Sequence, residues 1–158
     1  MKVKANRHRF TPISFGLTCS DIISKEVQFD YSCKYDIGQD QSDINKLFGV
    51  GFFHHHSNSG RFGWRWNIVT QKVELFGYVY NRNRRISEYL CSVSLGEKVR
   101  LSILLEGTGY GFVVQRTNQQ AVHKFIEGKT FFIGYKLGAY FGGNRRAPHD
   151  MKIWISAK

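Results

Sequence analysis

The sequence is short of residues that several function classes require. Only two prolines occur in 158 residues, beside 42% hydrophobic side chains, so the chain is neither disordered nor of low complexity. Cys19, Cys33 and Cys91 are odd in number, widely separated and form no Cys-x-x-Cys pair. Neither a zinc knuckle nor a complete disulfide set is implied, and reduced, buried thiols are the expectation. No apolar run approaches the length of a membrane span, and the opening MKVKANRHRF lacks an apolar signal-peptide stretch, so no membrane span and synthesis in the cytoplasm are the expectations. Carboxylates are scarce as well. No strand-like segment carries an E-x-D-x-x-E pattern, and Glu74, Glu88, Glu97 and Glu106 lie singly. A retaining glycosidase, which needs two carboxyl groups about 5 Å apart, is therefore a poor fit.

Basic residues are plentiful. The chain has 23 Lys plus Arg against 12 Asp plus Glu, a formal charge of +11, which favours polyanions such as acidic polysaccharide, nucleic acid or a phosphate-rich surface. They are scattered, with Arg82, Arg84 and Arg85 in one turn and Arg145 and Arg146 in another, and no continuous basic helix. Aromatics make up 15% of the chain, enough for one core. At this length roughly two thirds of the unfolded surface can be buried, and no repeat or linker interrupts the sequence, so residues 1–158 read as a single domain.

Alternation of apolar and polar residues dominates. In KEVQFDYSCKYD, residues Val27, Phe29, Tyr31, Cys33 and Tyr35 share one face of a half-buried strand. Further strands are expected over 8–16, 50–55, 61–68, 72–80, 86–93, 99–106, 110–116, 121–126, 130–136 and 151–156. The segment QSDINKLFG predicts one short helical turn, capped by Ser42 or Asp43 and carrying Ile44, Leu47 and Phe48 inward. The expectation is an all-β, two-sheet antiparallel sandwich of jelly-roll type.

Two segments could carry chemistry. In HHHSNSGRFGWRW, a strand would put His54 and His56 on one face, where they could hold a metal with His149, Asp150 or Asp43 as a third ligand. The turn SNSG then leads into RFGWRW, where Phe62, Trp64 and Trp66 alternate with Arg61, Gly63 and Arg65. With the tryptophans in the core, Arg61 and Arg65 face outward toward an acidic or hydroxyl-rich partner; the opposite orientation would make a stacking platform for a sugar or a base. The second segment, GYKLGAYFGGNRRAPHD, reads either as a twisted strand with a tight loop or as one wall of a ligand cleft formed by Tyr140, Asn144 and His149, with Arg145 beside them.

QSDINKLFG, HHHSNSGRFGW and GAYFGGNRRAPHD together resemble a group of small β-sandwich proteins from gut Bacteroidales bacteria and their phages. That resemblance implies a concanavalin-like jelly roll, the architecture of lectins, glucanases and polysaccharide lyases. Lys136, Gly138 and Tyr140 are similar to the K-x-G-x-Y core that carries the catalytic tyrosine of alginate-lyase-like enzymes. The glutamine expected two residues later is Gly142, and the Gln-x-His pair and R-x-E-x-R strand of those enzymes are missing.

The leading functional reading is a non-catalytic recognition or assembly module that contacts a glycan or partner protein and needs no cofactor. A phage virion component, such as a capsid decoration or fibre domain, is a second reading implied by the resemblance. A third is a lyase acting on an anionic glycan, in which Tyr140 and His149 move protons. Nucleic-acid binding rests on charge alone.

Overall fold

The computed structural model describes residues 1–12 and 16–157. Among these described residues, twelve strands build two sheets: β1 Lys2–Val3, β2 Leu17–Thr18, β3 Ile22–Phe29, β4 Asn45–Phe52, β5 Asn58–Asn67, β6 Lys72–Asn81, β7 Arg84–Val93, β8 Lys98–Leu105, β9 Gly109–Arg116, β10 Val122–Glu127, β11 Gly134–Leu137 and β12 Met151–Ala157. The first sheet runs β1-β12-β3-β8-β9-β10 and the second β2-β11-β4-β5-β6-β7, all pairs antiparallel. The fold is an all-β sandwich of jelly-roll type. Among the described residues, no helix is long and apolar enough to cross a membrane.

Alternation decides which side chains fill the space between the sheets. Val99, Leu101 and Ile103 of β8 face Phe62, Trp64 and Trp66 of β5 across a core in which Trp64 packs on Phe29, Tyr35 and Phe141 at ring distances of 5.2, 5.9 and 6.4 Å. The tryptophans are therefore core anchors, as expected of large aromatics in a half-buried strand.

Three expectations are corrected. Strand β3 stops at Phe29, because Asp30 accepts a hydrogen bond from the Ser32 amide (2.9 Å) and starts a 3-10 turn over Tyr31–Cys33. Tyr31 is consequently 69% exposed, while Cys33 and Tyr35 still reach the core. The segment QSDINKLFG is not an inward-facing helical turn: a 3-10 turn covers Gly38–Ser42, a second one beside that at Tyr31–Cys33, and Leu47 and Phe48 belong to β4. A bulge in β4 between Lys46 and Gly49 brings both side chains into the core. Finally, His54 to His56 lie in a loop rather than a strand. Phe53 takes a positive φ of 57°, costly for a bulky side chain, and the chain turns so that the Ser57 and Asn58 amides donate to the His54 carbonyl. SNSG is thus the end of this loop and the start of β5.

The expected strand over 8–16 falls partly on residues 13–15, outside the described residues; within it, Arg9 and Thr11 form single bridges to Tyr140 and Lys2. Of the three thiols, Cys33 is buried, Cys91 half-buried and Cys19 exposed, so the expected burial holds fully for Cys33, in part for Cys91, and fails for Cys19, which follows the short strand β2.

Candidate functional site

The outer face of the second sheet is not flat. Lys46 of β4, Arg61 of β5, Tyr78 and Tyr80 of β6 and Arg85 of β7 form the floor of a cleft of about 540 Å³, within the range of small-ligand sites. The loop carrying His55 and His56 forms one wall. The glycine-rich loop with Tyr140 and Asn144 forms the other, and Arg9 completes the rim.

Local sequence explains this placement. Pairing sets Arg61 opposite Tyr78 and Tyr80 opposite Arg85, so alternating cations and phenols share one face. The glycine-rich wall is held by buried Asn45, whose Nδ2 donates to the Tyr35 hydroxyl (2.8 Å) while its Oδ1 accepts from the Gly142 amide. Lys46 and Tyr140 exchange backbone hydrogen bonds of 2.8 and 2.9 Å, and the Asp43 carboxylate accepts from the Gly143 and Asn144 amides. Gly142 has φ +68° and would drive a Cβ into the Arg145 carbonyl, so only glycine fits there.

The electrostatics are one-sided. Among the described residues, no aspartate or glutamate lines the cleft and none pairs with Lys46, Arg61 or Arg85. The Arg61 Nε is sealed from solvent and makes no hydrogen bond. Burial lowers the Arg61 pKa from its usual value, opposed by the nearby phenols of Tyr78, Tyr135 and Tyr80. Burial, then the Arg61 charge, brings the Lys46 ammonium down to about 8, with Asp43 opposing. Its Nζ sits 5.0 Å from the Tyr78 ring centroid. His55 and His56, with ring centres 4.4 Å apart, are held below the ordinary imidazole range, first by burial and then by surrounding positive charge. Burial raises Tyr78 and Tyr135, which keeps these phenols protonated and able to donate. The result is a half-buried positive cleft, sealed at the Arg61 Nε and without a carboxylate ion pair to Lys46, Arg61 or Arg85 among the described residues, set among neutral donors and acceptors. Chemically it suits an anionic group on a hydroxyl-rich molecule.

Of the residues singled out from sequence, Arg61, Tyr140, Asn144 and His56 converge here. Arg65 does not: it pairs with Glu74, lies 5.0 Å over the Phe76 ring and donates to the Ser42 carbonyl. Arg145 pairs with Asp40 at 2.6 Å and acts as a buttress for the loop. His149 donates to the Ser32 carbonyl at 2.8 Å and does not line the cleft. His54 is exposed against His55. Among the described residues, no three His, Cys, Asp or Glu side chains come together as a metal-ligand set; Asp150 instead pairs with Lys4 and Asp43 with the loop amides. Lys46, His55, Tyr78, Tyr80 and Arg85 were not singled out. The alternation of KVELFGYVY already put Tyr78 and Tyr80 on one face, but only the pairing of strands shows what they share it with.

No family model and no curated protein matches the chain. Among solved structures, the alginate lyase from Klebsiella pneumoniae superimposes with a TM-score of 0.63 at 11% identity, over 87% of this chain and 59% of the lyase. A functionally unknown protein from Saccharomyces cerevisiae superimposes with a TM-score of 0.53 at 10% identity, over 98% of this chain and 84% of its own. At such identities the likeness is one of fold, a jelly-roll sandwich. The chain spans 59% of the length of the lyase.

Proposed function

We propose that this protein is a recognition module for an acidic glycan, binding a carboxylate or sulfate of the sugar in the cleft on its second sheet. The observation that carries this reading is Arg61, a cation with a sealed, unpartnered Nε at the floor of a cleft without carboxylates. A charge in that state is stabilised by a bound anion, and the planar guanidinium matches a carboxylate in two-point geometry. Tyr78, Tyr80, Asn144 and the histidines supply neutral partners for ring hydroxyls. A virion fibre or decoration domain of the phage group that the sequence resembles would use the same cleft for adhesion.

The test is an array of uronate-bearing, sulfated and neutral glycans. Retention of acidic glycans that weakens with salt supports the proposal. Equal retention of neutral glycans, or binding undiminished in an Arg61 variant, contradicts it.

One observation favours a second reading, elimination chemistry: Tyr140, His56 and Arg61 line the same cleft, which could supply proton carriers beside a group that neutralises a uronate. His149 is not part of that set. Elimination from a uronate polymer creates an unsaturated sugar that absorbs in the ultraviolet. No absorbance rise on alginate, pectin or glycosaminoglycans is expected of a recognition module, whereas a rise abolished by Tyr140→Phe would make the protein a lyase.

A further inference from the structure

A second basic cavity adjoins the first. It measures about 560 Å³, and its walls include Lys2, Arg7, His8 and Arg146, with Arg9 and Tyr140 shared between the two cavities. The basic opening KVKANRHR is not a loose tail. Lys2 and Thr11 exchange backbone hydrogen bonds of 2.8 and 2.7 Å, the Asn6 amide donates to the Ala147 carbonyl and the Ala147 amide to the Arg7 carbonyl. The Phe141 amide donates to the His8 carbonyl, and Arg9 bridges Tyr140. With the backbone committed to the C-terminal loop, the side chains of Lys2, Arg7 and Arg146 are left exposed, and none has a carboxylate partner among the described residues. Lys4 alone in this segment is paired, with Asp150.

At the junction, His8 stacks on Tyr140 with ring centres 4.9 Å apart and an 8° angle. The His8 Nδ1–H donates to the Phe141 carbonyl at 2.9 Å, which fixes the ring against the phenol. The shared wall is therefore a rigid aromatic ledge between two cation-lined hollows.

We infer that the N-terminal segment forms a second ligand subsite continuous with the sheet cleft, so that the occupant is a linear acidic polysaccharide running past the Tyr140–His8 ledge. This rests on the reading of the first cleft and extends it from a single acidic sugar to a chain with repeated charges. A monovalent anion would leave the second set of cations without a purpose in binding. A polymer places successive negative groups in both hollows, and linking two sites raises affinity through the effective concentration of the second contact. A saccharide fits better than a nucleic acid because the first cleft intersperses its cations with phenols, imidazoles and an amide suited to ring hydroxyls.

The experiment measures binding of alginate oligomers of increasing length, from the disaccharide upward, by calorimetry at low salt. The wild-type protein is compared with a variant carrying Lys2→Ala, Arg7→Ala and Arg146→Ala, whose altered side chains are all exposed. For the wild type, affinity rises with length. The variant binds the shortest oligomer as the wild type does and loses about tenfold on the longest, the order expected for a few exposed charge contacts. Equal losses at every length, or a length dependence left intact, would overturn the second subsite. If the wild type binds no oligomer of any length, the reading of the first cleft fails and the extension fails with it. If it binds oligothymidylate in a length-dependent way and no uronate, the basic tract is a nucleic-acid surface and the inference is wrong.

Discussion

Replacing Arg61 by methionine should make the protein more stable and less able to bind. The guanidinium stands among Tyr78, Tyr80 and Tyr135 with its Nε sealed and without a partner, and its charge is one cause of the low Lys46 pKa. A buried donor left unsatisfied costs about 1–3 kcal/mol, and a charged group taken from water without a counterion adds to that. Methionine is unbranched, of similar reach, and carries no donor. A net gain of about 1–2 kcal/mol is expected after lost packing is allowed for, which for a chain of this size raises the melting temperature by about 2–8 °C. Binding should move the other way. Loss of a charge-assisted hydrogen bond worth about 1.5–3 kcal/mol weakens an acidic glycan about ten- to a hundredfold. Thermal unfolding and calorimetric titration of the same preparations give both numbers. Arg65→Met is the control: it removes the partner of Glu74, a half-buried carboxylate, so it should destabilise the fold while binding persists. A destabilised Arg61→Met protein with unaltered affinity would show that the tyrosines satisfy this cation and that no ligand is needed to do so.

Other expectations follow from the same structure. Trp64→Ala should cost about 3–5 kcal/mol, because a fully buried indole leaves a cavity beside Phe29 and Tyr35; chemical denaturation checks it, and a stable variant would invert the assignment of faces. Asn45→Ala leaves the buried Gly142 amide without its acceptor, a loss of about 1–3 kcal/mol, and should loosen the glycine-rich wall so that affinity drops as well; hydrogen exchange at residues 140–144 would report this, and unchanged protection would contradict it. Anion affinity should fall as the pH rises through about 8, where Lys46 loses its proton. Its folded pKa lies below the unfolded value, so the unfolded chain binds more protons between the two. This group therefore contributes stability that is present above the usual lysine value and lost as the pH falls through that window toward 8. A flat affinity profile across pH 8 that matches Lys46→Met would remove Lys46 from the site.

The longer strands were legible because period-2 alternation is a direct consequence of the pleat, whereas the two-residue β1 and β2 and the late start of β11 at Gly134 were not; RFGWRW gave the correct faces for both tryptophans and both arginines. What alternation does not give is depth. Arg61 and Arg65 share an outer face, yet one lies beneath two loops and the other beside Glu74. The misread segments have specific causes. The bulge in β4 sends consecutive residues Leu47 and Phe48 inward, and with Ile44 that spacing imitates a helix. The Asp30 cap ends β3 within an unbroken alternating pattern, which left Tyr31 assigned to the core. The triple histidine looked like strand because nothing in its residue types announces the positive φ at Phe53. The cleft itself depends on β4, β5, β6 and β7 lying side by side under two loops from distant parts of the chain, a relation that no local pattern encodes.

The central claim is that an acidic sugar occupies the cleft over Arg61. Amide chemical-shift mapping by NMR tests it most directly, with a short alginate oligomer titrated against a neutral mannan oligomer of equal length. The account predicts saturable shifts for the acidic oligomer at Lys46, Arg61, Tyr78, Tyr80 and residues 140–144, and none for the neutral one. Shifts centred on another surface, such as the exposed Trp154 of the first sheet, or identical responses to both oligomers, would contradict it.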